Sequence, residues 1–303
     1  KSAPQILNCS TKSNPDVQSR RVPAEGLFII SAISQYIGAA IAISVFDQVA
    51  PQSVGWLRVV GATIALWIIA RPQIGDWRGR KLLGAALFGV ATAAMNTFFY
   101  LGIARIDLGK SVAIEFIGPI AVAAFATRSF RNAIALACAV GGVLVLGGVE
   151  IGGEPAGVAF ILVSSACWAG YILIGSKVAT TSNGVEGLAV GLAIGSFVLI
   201  PIGAPWSGPV WGAPLLLLAC LVTGVFSNAI GYGIDQYVMR QVSVRRFSVL
   251  LAMLPVTAVV VGWVALGQKP SLVDFGGIIA VLIGVSLQER DAAQLSEPLV
   301  HTV

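Results

Sequence analysis

Apolar residues along this chain neither alternate nor keep to one helical face. They run. Ten apolar stretches stand out, at approximately 27–46, 53–70, 82–103, 109–127, 132–149, 156–178, 184–203, 213–238, 244–266 and 272–287. Most approach the ~20 residues that carry an α-helix across a bilayer. Short Gly- and Pro-bearing turns separate them: APQS at 50–53, GGEP at 152–155 and GQKP at 267–270. The pattern predicts an all-α integral membrane protein with ten transmembrane helices. Polar residues dominate 1–26, which reads as a disordered tail, and 288–303 reads as a second tail.

Composition and charge sharpen this picture. Of the 303 residues, 56% are hydrophobic and 11% charged, against about 25% charged in an ordinary soluble domain. The net charge of +5 would raise nucleic acid as a partner in a soluble protein. Here the basic residues lie in short loops between apolar runs, where they orient a membrane protein. With the N-terminus placed in the cytoplasm, 15 of the 19 Lys and Arg fall on the cytoplasmic side. Arg105, Lys110 and Lys269 fall outside, and Arg58 lies within a helix. Both tails are then cytoplasmic. The expected partners are the lipid bilayer and a small molecule, and not nucleic acid.

The chain also repeats weakly. Ser31-Ala32 matches Ser165-Ala166, Gly61 matches Gly195, Pro119 matches Pro255, and Asn96-x-x-x-Tyr100 matches Asn228-x-x-x-Tyr232, all at offsets of 132 to 136 residues. Two halves follow, 27–149 and 150–287, each of five helices. Five is odd, so the second half enters the membrane in the opposite sense. Two inverted five-helix repeats are a signature of secondary transporters, whose substrate site lies near the midplane between the halves.

Few polar residues interrupt the apolar runs, and each is a candidate. Glu115 is the foremost, because an intramembrane carboxylate is costly and by default functional. It sits about 9 Å into the fourth run, at 1.5 Å per residue. Arg58 lies at similar depth in the second run. Glu115 is expected to exchange protons or hold a cationic group, with Arg58 as its partner or gate; the plain alternative is a static ion pair. Pro119 and Pro255 are expected to kink their helices. Gln35, Tyr36, Asn96, Tyr100, Trp168, Tyr171, Ser227, Asn228 and Tyr232 are expected to line a pocket. Amides and hydroxyls there suit a zwitterion, and aromatic faces suit a cation. Against this, Tyr100 and Tyr232 also fit an interfacial belt, and the asparagines fit interhelical hydrogen bonds. Asp235 is either part of an inner gate or paired with Arg240, Arg245 or Arg246. The four cysteines have no metal-ligand spacing. The lone histidine is His301, in the C-terminal tail, so no His-based catalytic site is expected in the membrane. With no phosphate-binding glycine loop, neither enzyme activity nor a cofactor is expected.

Four runs together resemble the EamA-type transporters of the drug/metabolite transporter superfamily. They are M-N-x-x-F-Y-L at 95–101, L-G-x-x-V-A-x-E-F-x-G-P at 108–119, A-C-W-A-x-Y-I-L at 166–173, and Ile234-Asp235-Gln236-Tyr237 with Leu254-Pro255-Val256-Thr257 following. Within the superfamily the chain is most similar to bacterial inner-membrane threonine/homoserine exporters. The resemblance implies alternating access around a central cavity and export of small amino acids by proton antiport. The alternatives are another substrate of the superfamily, such as a drug-like cation or other metabolite, or a membrane interaction protein without transport. Glu115 falls in the E-F-x-G-P stretch, and Trp168 and Tyr171 in the C-W-A-x-Y stretch.

Overall fold

The computed structural model describes residues 24–127, 130–148, 154–179, 184–239 and 253–287. Within them the chain is helical and contains no strand. The long helices are α1 (Ala24–Ser44), α2 (Pro51–Ala70) and α3 (Gly79–Ile103). The fourth run divides into α4 (Leu108–Glu115) and α5 (Ile117–Thr127). Then follow α6 (Phe130–Gly148), α7 (Pro155–Ala179), α8 (Gly184–Val198) and the short α9 (Ile200–Gly203) and α10 (Gly208–Trp211). The eighth run comprises α11 (Pro214–Gly224), a π-helical segment (Val225–Tyr232) and α12 (Gly233–Met239). The last two helices are α13 (Met253–Leu266) and α14 (Leu272–Leu287).

Local chemistry explains several boundaries. Proline opens α2, α7 and α11, at the position where a missing N–H costs nothing. Gly267, at φ +68°, closes α13, because a residue without Cβ adopts the left-handed conformation freely. Pro119 cannot donate to the carbonyl of Glu115, and the helix breaks between these residues, at Phe116. Pro201 does the same to the seventh run, where the axis turns by 48°.

Among the described residues five helices are long and apolar enough to cross a membrane, or six if the bent α8–α9 pair is one span. Their outer faces are apolar: Ile64, Ile68, Ile69, Phe197 and Leu218 are all exposed, as are Trp263 and Val264 on the shorter α13. In a soluble protein such a surface would aggregate, whereas lipid solvates it. The interior holds most of the polar groups within the spans, including Ser31, Arg58, Thr92, Asn96, Glu115, Ser164, Ser227 and Asn228.

The helices pack in a few extended pairs. α3 lies along α7 and α8, α2 along α8 and α11, and α6 along α14. α1 packs on the π segment and α13, and α4 packs on α13 and α7. Backbones touch where glycines meet. A Cβ on Gly89 would strike the backbone of Gly191, and one on Gly61 would strike that of Leu221. Small residues permit this approach, which brings van der Waals contact that hydrophobicity cannot supply in lipid.

The structure amends the expected elements at three places, and describes a fourth only in part. The fourth run is two helices, and the seventh is bent. The eighth changes winding midway. For the ninth, only Met253–Leu266 is described; residues 244–252 lie outside the described residues.

Candidate functional site

The polar interior gathers around α2, α3, α4, α7 and the π segment. Arg58 is its cation and is only 5% exposed. Its Nε donates to Asn228 Oδ1 at 2.9 Å. Its guanidinium lies 4.8 Å from the centre of the Tyr100 ring, a cation–π contact. Tyr100 is wholly buried, which removes it from any interfacial belt. Among the described residues its hydroxyl meets no partner at full hydrogen-bonding geometry, although Thr223, Ser227 and Arg58 lie near it, and Asn228 Nδ2 meets none either.

Glu115 ends α4 at the helix break and is 9% exposed. Ser164 on α7 donates to its carboxylate and touches the Met95 carbonyl at 2.8 Å. Arg58 acts on Glu115 electrostatically, but no direct ion pair joins them. This departs from the expected Arg58–Glu115 partnership. Both residues are the eighth of their helices. Depth does not fix direction around a helix axis, and Arg58 turns to Asn228 instead.

Asp235 forms a second polar centre. Its carboxylate accepts from Ser31 Oγ at 2.6 Å and Gln35 Nε2 at 3.0 Å, both on α1. Ser227 Oγ donates to the Gln35 carbonyl at 3.0 Å, and Ser34 Oγ to that of Phe226 at 2.8 Å. These bonds tie α1 to the π segment and α12. The arginines considered as partners for Asp235 lie outside the described residues.

The remaining candidates divide. Tyr36 is buried within electrostatic reach of Glu115 and Asp235, and Tyr232 is in reach of Arg58, Tyr171 and both carboxylates. Asn96 donates to the Thr92 carbonyl of its own helix at 2.7 Å, rather than across to a neighbour. Trp168 meets Phe116 edge-on at 5.1 Å, beside the helix break. Tyr171 stacks on Phe88 of α3 at 4.6 Å. The two rings therefore face different helices, although their spacing places them on roughly one side. Pro255 lies in the first described turn of α13.

Sequence reasoning missed three participants. Ser164 holds Glu115, and Ser31 holds Asp235. Ser31 and Ser165 stood out only as repeat markers, and a hydroxyl in an apolar helix is a weak signal taken alone. The third is the π winding that presents Ser227, Asn228 and Tyr232. Such segments often accompany functional sites, and nothing in the run 213–238 announces one.

Apolar spans around a polar, charged interior define a multi-pass membrane protein of the transporter kind. The chain belongs to the EamA-like transporter family, whose pattern matches residues 155–288. It is 32% identical over 278 residues to the threonine/homoserine exporter RhtA of Escherichia coli (strain K12), a match covering 89% of this chain and 94% of that protein. It is 33% identical over the same length and shares to the RhtA of Salmonella typhimurium (strain SL1344). A solved crystal structure covering 90% of this chain and 99% of its own superposes with a TM-score of 0.58 at 18% identity. That likeness concerns the fold alone.

Proposed function

We propose that the protein exports small amino acids of the threonine and homoserine kind across the bacterial inner membrane, in exchange for protons. One observation carries the coupling. Glu115 is buried at a helix break, its carboxylate held by a neutral hydroxyl and, among the described residues, by no cation in direct contact. A carboxylate locked in an ion pair keeps its charge, whereas one held by a serine can give it up to a proton. The exporters similar to this chain supply the substrate class.

In the proposed cycle, substrate enters from the cytoplasm to a midplane pocket near Asn96, Trp168, Tyr171 and Asn228. A proton from outside neutralises Glu115 and lets the two halves rock. Asp235, bonded across to α1, acts as the inner gate. The halves are inverted repeats, residues 27–149 and 150–287, with ten spans and both termini cytoplasmic. Two backbone contacts support that relation. Gly61 meets Leu221, and Gly195 meets Gly89; Gly195 is Gly61 shifted by 134 residues, and Leu221 is Gly89 shifted by 132. The same contact is made twice, with the halves exchanged.

Proteoliposomes loaded with labelled threonine or homoserine test the reading. Efflux should require the protein and rise with an imposed inward proton gradient. Absence of flux for both amino acids would reject the substrate, and flux indifferent to the gradient would reject the antiport.

A further inference from the structure

The buried groups around Arg58 are donors lacking an acceptor. The guanidinium has five N–H groups, and its one well-formed hydrogen bond among the described residues is from Nε to Asn228 Oδ1. The Asn228 amide is oriented by that bond: its oxygen must face the donor, so its NH2 faces away from it. That NH2 is fully buried and has no partner. The Tyr100 hydroxyl, on the ring beneath the guanidinium, has no well-formed hydrogen bond among the described residues either, although Thr223, Ser227 and Arg58 lie near it. Orphan polar groups of this kind are uncommon in folded interiors, and each calls for an explanation.

We infer that Arg58, Asn228 and Tyr100 form a subsite for the carboxylate of the transported molecule. This rests on the amino-acid reading above and gives Arg58 a role that proton coupling does not. Three elements converge here: α2 brings the cation, α3 the hydroxyl, and the π segment the amide. All three groups can donate to an oxyanion, and a carboxylate can take four such bonds. Tyr100 holds the guanidinium plane from one side, leaving its terminal amino groups for a bidentate contact. One cation suits a monoanion, whereas phosphate, with nearly two charges at neutral pH, would call for a second. Glu115 is the nearby opposite charge, in reach of Arg58 but not in contact with it. It is free for the ammonium end of the same zwitterion.

Thermal shift of the purified full chain tests the subsite, using threonine, threoninamide, 3-hydroxybutyrate and inorganic phosphate at fixed ionic strength. Threonine should stabilise the protein at concentrations at least about tenfold below threoninamide, the worth of a charge-assisted contact. Arg58→Gln should bring the two to near parity. Because that change also removes a buried charge from the packed interior, Tyr100→Phe gives a second reading. It keeps the ring and should weaken threonine about tenfold, without affecting threoninamide. An acid preference that survives in both variants overturns the subsite. So does phosphate binding as well as threonine, or no response to either acid. Should 3-hydroxybutyrate bind through Arg58 and threonine not bind, the subsite stands and the amino-acid reading falls. Should threonine and its amide bind alike, the reverse holds.

Discussion

Arg58 and Asp274 are almost equally buried, at 5% and 6% exposure, yet their surroundings are opposite. Asp274 is saturated. Lys110 approaches it to 3.2 Å, the Ser271 N–H donates to it at 2.8 Å, and its own N–H bonds Ser271 Oγ at 3.2 Å. This is a reciprocal cap at the start of α14, reinforced by an ion pair to α4. Arg58 has one neutral acceptor, one ring and two orphan neighbours. Burial alone therefore does not distinguish a structural charge from a working one; the completeness of the shell does. Asp274 fastens helices with its bonds filled, and Arg58, on the subsite proposed above, has bonds to spare for a ligand.

The sharpest way to break this contrast is at Glu115, the other incompletely bonded charge. Glu115→Gln should leave the protein folded, since the amide still accepts from Ser164, and should abolish the pH dependence of efflux. Flux that still follows the proton gradient in that variant would remove Glu115 from coupling. Asp274→Asn should do the opposite. It removes the closer of two carboxylates beside Lys110, Asp107 remaining at 3.9 Å, and should cost about 2 kcal/mol of stability while the preference for acid over amide persists. Chemical denaturation and the ligand panel read the two effects separately. Asp235→Asn lies between. It weakens the bonds from Ser31 and Gln35 and should cost about 1 kcal/mol, visible as a lower unfolding midpoint. The smallest effect is the most discriminating. Tyr100→Phe deletes a buried hydroxyl that has no well-formed hydrogen bond among the described residues, so the ligand-free protein should be unchanged or more stable by up to about 1 kcal/mol. A marked loss of stability would mean that the hydroxyl is already bonded, and the contrast with Asp274 would fail.

Much of the fold is legible in the sequence because lipid imposes a coarse code. Long apolar runs must be helices, and nine of the ten expected runs coincide closely with described helical stretches, the ninth run being described in part. The break beside Glu115 is also legible, since Pro119 removes one specific hydrogen bond. The site is less so. The residues around Arg58 are Tyr100 and Asn228, the latter 170 positions away. The expected list contains all three, but pairs Arg58 with Glu115. The choice between them depends on rotation about α2, which an all-round apolar helix does not encode in its pattern. Ser164 illustrates the complementary difficulty. Its neighbour Ser165 is equally buried, and only the packing of α7 on α4 decides which hydroxyl reaches the carboxylate.

The π winding of residues 225–232 has a consequence for how this chain tolerates change in length. A wider turn accommodates more residues over the same rise than an α-helix does. Deleting one residue there would let the segment tighten to α geometry without stretching the span. Everything downstream would then rotate by about 100° relative to α11. Asp235 would leave Ser31 and Gln35, and α12 would present another face to α1. A deletion harmless to membrane insertion would thus be ruinous to the site, whereas one in the loop before α11 would shift no such register.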